Sequence, residues 1–116
     1  MVTLEWANPT GSMKDRMART SIEGPIGDGR LQPGDTVVEY IAGTTGIYLA
    51  FVCAALGYDL HIVFSDAFSM EKRRTMKAFG ATVEEAKSDH GRSPSRSQID
   101  DRQDWPSCRT AGSLVV

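Results

Sequence analysis

Apolar positions keep a period through most of this chain and lose it after residue 91. Met13, Met17, Ala18 and Ile22 recur at helical spacing and predict a helix starting at Ser12. Ser12 and Asp15 make an S-x-x-D box, in which the serine can cap a free amide and the acid suits the positive helix end. Gly24-Pro25 is expected to end that helix, with residues 27–34 a loop. Residues 2–6 read as a short strand, and Asn8-Pro9-Thr10-Gly11 is turn chemistry. Residues 36–40 read as the next strand. A tight turn over residues 42–46 then leads into a helix over about 47–56, apolar nearly all round and so expected to be deeply buried. Gly57 is placed as its C-terminal cap. Residues 60–64 form a continuous apolar run, as in a parallel strand covered on both faces. A helix over about 69–79, closed by Gly80, and a short strand over 81–84 complete the periodic part.

Strand, helix, strand, helix, strand is the order of an α/β fold, a parallel sheet with right-handed β-α-β crossovers. Ligands gather in such sheets where strand C-termini meet helix N-termini. Residues 88–104 contain one aliphatic side chain, Ile99, and are dominated by serine, arginine and aspartate. Such a segment cannot bury enough apolar surface to offset the entropy of ordering it. Disorder is therefore expected over residues 92–116. A change of character this abrupt is what a frameshift or truncation near Arg92 would produce.

Composition narrows the classes further. With 116 residues the chain suits one domain at most, and a net charge of -2 gives no reason to expect nucleic acid or an acidic membrane as partner. No run approaches the roughly 18 apolar residues of a membrane span. The first residues lack the layout of a signal peptide, so a cytoplasmic location is expected. Cys53 lies in an apolar helical run and reads as a small core residue, while Cys108 has no evident partner. His61, His90, Cys53 and Cys108 show no ligand spacing, so no metal is expected.

Two motifs carry the chemistry. The first is Asn8-Pro9-Thr10-Gly11-Ser12-Met13-Lys14-Asp15-Arg16, and the second is Val38-Glu39-Tyr40-Ile41-Ala42-Gly43-Thr44-Thr45-Gly46-Ile47. Together they closely resemble the pyridoxal-phosphate (PLP) enzymes of the cysteine synthase and tryptophan synthase β-chain group, of fold type II. The resemblance implies that residues 1–91 correspond to part of the smaller N-terminal domain and that Lys14 is the Schiff-base lysine. It implies PLP as cofactor, held by Lys14 and Thr44, and a small amino-acid substrate whose carboxylate meets Gly43, Thr44, Thr45 and Gly46. The activity it implies is lyase or transferase chemistry at the β-carbon, as in cysteine synthesis from a serine derivative, and it allows a family-like homodimer.

Each residue also has a plainer reading. Lysine is common in the first turn of a solvated helix, although the positive end of the dipole there suits a nucleophilic amine. The turn at Gly43 could be an ordinary threonine-capped helix start. Its amides and hydroxyls equally suit an anion. The family turn reads Ser-Gly-Asn-Thr-Gly, and Ala42 and Thr44 depart from it. Threonine is shorter than the asparagine that touches the cofactor ring in the family. Trp6 and Phe79 read as core, residues 71–74 as a solvated helix face, and His61 as a satisfied strand histidine. The glycine-rich phosphate loop of the family is not visible. A catalytically inactive fragment, or an anion-binding α/β module, is therefore the alternative. A half-enzyme would also expose apolar faces, with Phe51, Leu56 and Phe79 as candidates for self-association.

Overall fold

The computed structural model describes residues 2–41, 44–65, 69–86 and 113–115. A 3-10 turn, Glu5–Ala7, precedes helix α1, Lys14–Gly27. Then follow β1 (Thr36–Ile41), α2 (Thr45–Leu56), β2 (Asp59–Ser65), α3 (Met70–Ala78), β3 (Thr82–Ala86) and β4 (Ser113–Val115). All neighbouring strands are parallel, in the order β3-β2-β1-β4. The α/β class expected from the element order is the one observed.

Strand alternation divides the residues between two faces. Val37 of β1 and Leu60, Ile62 and Phe64 of β2 join one cluster with Ala18 and Ile22 of α1, Leu49, Ala50 and Cys53 of α2, and Met76 of α3. One sheet face therefore carries all three helices. Burying side chains the size of Ile22, Leu49, Ile62 and Met76 contributes roughly 1.5–3 kcal/mol apiece, which makes this cluster the main source of stability. Val38 and Val63, on the alternate positions, are also buried. Both faces of the central strands thus carry buried side chains, as the apolar run of residues 60–64 suggested for β2. On that second face His61 Nε2 lies 3.2 Å from Glu84 Oε2, so the strand histidine is satisfied across the sheet.

Several expectations need correction. Residues 2–6 form no strand: Ala7 N–H donates to Leu4 O and Asn8 N–H to Glu5 O, curling the segment into the 3-10 turn. Trp6 is 74% exposed and is not core. Helix α1 runs through Pro25 to Gly27. Proline withholds only its own N–H, and the end is closed by Asp28 N–H donating to Gly24 O and Leu31 N–H to Pro25 O. Helix α2 is not buried throughout: Gly46, Leu49, Ala50, Val52 and Cys53 are buried, while the consecutive Ala54, Ala55 and Leu56 at its C-terminal end are exposed. An all-apolar helix cannot signal how much of its length the sheet will cover. Gly57 caps it in the left-handed conformation at φ 79°, as expected. The 71–74 face is not wholly solvated, because Arg73 pairs with Glu85 of β3. Strand β4 pairs with β1 in the register Thr36↔Ser113 to Val38↔Val115, inside the stretch expected to be disordered. That expectation rested on the polar 88–104 run, and the apolar Leu114-Val115-Val116 end differs from it. The remainder of residues 92–116, with Cys108, lies outside the described residues.

Candidate cofactor and substrate site

The approach to Lys14 is built by short-range polar contacts. Gly11 adopts φ 75°, a conformation that favours glycine, and its N–H donates to Asn8 O at 2.8 Å. Asn8 Nδ2 donates to Glu5 Oε2 and to Ser12 O, each at 2.7 Å. Thr10 N–H donates to Asp15 Oδ2 at 2.9 Å, and the Thr10 hydroxyl donates to Asp15 Oδ1. The chain therefore folds back over the first turn of α1, and Lys14 is the first residue of that helix. As expected of the S-x-x-D box, Ser12 Oγ accepts from a first-turn amide, Lys14 N–H, at 3.3 Å, and Asp15 lies in the first turn of α1. The Asp15 carboxylate is held by the loop, through the two donors of Thr10.

Lys14 is half-buried and lines an open depression of about 640 Å3 with Met13, Arg16, Met17, Thr20 and Ser21. Arg16 pairs with Glu5, and the Thr20 hydroxyl donates to Arg16 O. Glu5 and Asp15 thus have partners other than the lysine. No hydrogen bond or ion pair engages the Lys14 side chain among the described residues. A primary amine without a partner among the described residues, beside an open depression, can attack an aldehyde.

The second motif opens α2. Thr44 is the residue before the helix and makes no side-chain cap, and Thr45 and Gly46 are its first two residues. Ile47 N–H closes on Thr44 O at 3.0 Å, so the amides of Thr45 and Gly46 stand free of the helix ladder. Gly46 is buried, whereas Thr44 and Thr45 are partly exposed. Ala42 and Gly43 lie outside the described residues. The turn follows β1, at the sheet edge where parallel strands end. Helices α1 and α2 share the cluster of Ala18, Ile22, Leu49 and Cys53, which fixes the two motifs in one helical layer. Among the described residues, the lining of the Lys14 depression comes from α1 and the residue before it.

Other reactive groups are set apart. Cys53 is wholly buried, and burial pushes its thiol from an ordinary 9.0 up to about 11, which makes it inert near neutrality. Among the described residues no group of three His, Cys, Asp or Glu could hold a metal ion. Among the same residues no helix is long and apolar enough to cross a membrane. Sequence reasoning missed Glu5, Asn8 and Thr10 as supports of Lys14. The signal available was a short run of hydrogen-bonding residues directly before the helix, next to a conspicuous lysine.

The chain is a parallel α/β layer whose lysine-bearing helix follows an Asn-Pro-Thr-Gly turn. Residues 1–111 match the family described as pyridoxal-phosphate dependent enzyme, and the chain belongs to that family. It is 50% identical over 82 residues to a cysteine synthase of Staphylococcus aureus (strain Mu50 / ATCC 700699), covering 71% of this chain and 26% of the relative. It is 44% identical over 82 residues to an O-ureido-L-serine synthase of Streptomyces lavendulae, covering 71% and 25%. The crystal structure of a cysteine synthase from Entamoeba histolytica superposes with a TM-score of 0.80 at 32% identity, covering 97% of this chain and 32% of that one. The chain spans about a quarter of the length of the curated relatives it matches.

Proposed function

We propose that this chain carries the lysine-bearing part of a PLP-dependent β-replacement enzyme resembling cysteine synthase. The Lys14 amine at the start of α1, in the family's lysine motif and without a partner among the described residues, is the observation that carries the reading. The residues suit the carbonyl end of the cofactor, because the depression presents a free amine beside the apolar side chains of Met13 and Met17. PLP, when bound, supplies an electron sink that stabilises negative charge at the substrate α-carbon. Lys14 Nζ would hold the cofactor and then take up the substrate's α-proton. The free amides of Thr45 and Gly46, with Gly43 and the Thr44 and Thr45 hydroxyls, would bind and orient the substrate carboxylate. Thr44 would also face the cofactor ring, where its shorter side chain reaches less far than an asparagine. The alternative, a non-catalytic fragment or anion-binding module, draws on one observation. The described lining of the depression offers no glycine-rich phosphate cradle, and Arg16 is already paired with Glu5.

Incubation with PLP, borohydride reduction and peptide mapping tests the assignment. Label should fall on Lys14 in preference to Lys72 and Lys77, and Lys14→Ala and Lys14→Arg should abolish it, since a guanidinium stays protonated. Without reduction the cofactor should dialyse away. Label spread evenly over the lysines would defeat the Lys14 assignment. Tight stoichiometric binding would show the chain to be a more complete site than proposed.

A further inference from the structure

We infer that Asp15 is a positioning residue for Lys14, acting through Thr10; this deepens, and rests on, the reading of Lys14 as the cofactor lysine. Asp15 is only 7% exposed, the one buried charged residue among those described. A buried carboxylate needs strong donors, and its two oxygens take the Thr10 N–H and the Thr10 hydroxyl. Those bonds span the chain from the loop before the helix to the second residue within it. Lys14 lies between their ends, with its own N–H on Ser12 Oγ. Asn8 ties the same loop to Ser12 O and Glu5, and Arg16 takes Glu5 from the other side.

Two consequences follow. The first turn of α1, which would otherwise fray, is fixed at the residue that must present its amine. Both acids in the network, Glu5 and Asp15, are bonded to Asn8, Thr10 and Arg16, and neither pairs with Lys14. An asparagine at position 15 could still accept from the Thr10 N–H and donate to the Thr10 hydroxyl, whereas an alanine there removes both acceptor oxygens and opens the clamp.

The test is made on the full chain with PLP and borohydride. The Lys14 amine condenses with the aldehyde, releasing water. Borohydride then delivers hydride to the carbon of that linkage, water protonates the nitrogen, and a secondary amine remains. The readout is label on Lys14 relative to label on Lys72 and Lys77 of the same molecules. In the native chain this ratio is expected well above one. In Asp15→Ala it should fall about tenfold or more, toward the value of an ordinary lysine, while Lys72 and Lys77 keep their own rates. Asp15→Glu should restore much of the ratio, because two acceptor oxygens return. Thr10→Val, which keeps the N–H and removes the hydroxyl, should give an intermediate ratio and decides the matter if Asp15→Ala does not fold. An unchanged ratio in folded Asp15→Ala, or in Thr10→Val, overturns the positioning role. A native ratio near one instead overturns the cofactor-lysine reading, so the two failures are distinguishable.

Discussion

Lys14 and Arg16 sit two residues apart at one helix start, yet they have opposite circumstances. Arg16 is paired with Glu5, whereas Lys14 has no partner among the described residues. Geometry and pairing separate an ordinary cation from a candidate nucleophile here. Cys53 shows the reverse, a reactive group silenced by place. Its thiol resists ionisation in the folded core but not in the unfolded chain, so the folded pKa is raised. Its contribution to stability is fully present below pH 9.0 and is lost as pH rises toward about 11. Cys53→Ala should cost about 1 kcal/mol near neutrality. The difference in urea stability between the native chain and the variant should shrink between those two pH values. A difference independent of pH would mean that the thiol is not desolvated.

Caps and pairings decide where each element begins and ends. Gly57 has φ 79°, and a Cβ added there would meet nothing within 4 Å, so its value is conformational freedom alone. Gly57→Ala should therefore cost about 1 kcal/mol. In a domain this small the melting temperature should fall by roughly 4–8 °C. Gly57→Asn should cost less, since asparagine tolerates the left-handed region. Equal melting of the native chain and Gly57→Ala would show that α2 ends without that residue. Ser69 caps α3 by accepting from Glu71 N–H, and its removal belongs to the same class of effect. Pro25 teaches the opposite lesson: a residue that disfavours helices was accommodated, because the last turn found other donors.

Over the whole molecule, one sheet face holds the helices, and apolar surface remains uncovered elsewhere. The Glu5–Arg16 pair brings the segment carrying Leu4 and Trp6 beside the turn carrying Met13 and Met17, and all four are exposed. Leu56 is exposed as well, whereas Phe51 and Phe79 are half-buried against one another, ring centroids 5.7 Å apart. The surface expected at those phenylalanines thus lies instead around Trp6 and the methionines. The purified chain should self-associate and bind a hydrophobic dye, and Trp6→Ser with Met17→Ser should weaken both. A monomer in sedimentation that ignores the dye would count against this surface as an association site.

Local chemistry made much of this legible from the chain itself. Alternating periods located three helices and three parallel strands, Gly57 announced its cap, and the lysine motif indicated the family. Those signals depend on residues close in sequence. What required tertiary structure were matters of choice between competing partners. Asp15 bonded to Thr10, the 2–6 segment curled into a 3-10 turn, and α2 left its C-terminal end exposed, which its uniform apolarity could not mark. The pairing of Ser113–Val115 with β1 joins residues about 77 apart in sequence, as Thr36↔Ser113 shows, and no local pattern encodes such a contact. Sequence sets which groups are available to bond; the fold decides which of them meet, because each buried donor and acceptor must find its partner among all those brought near.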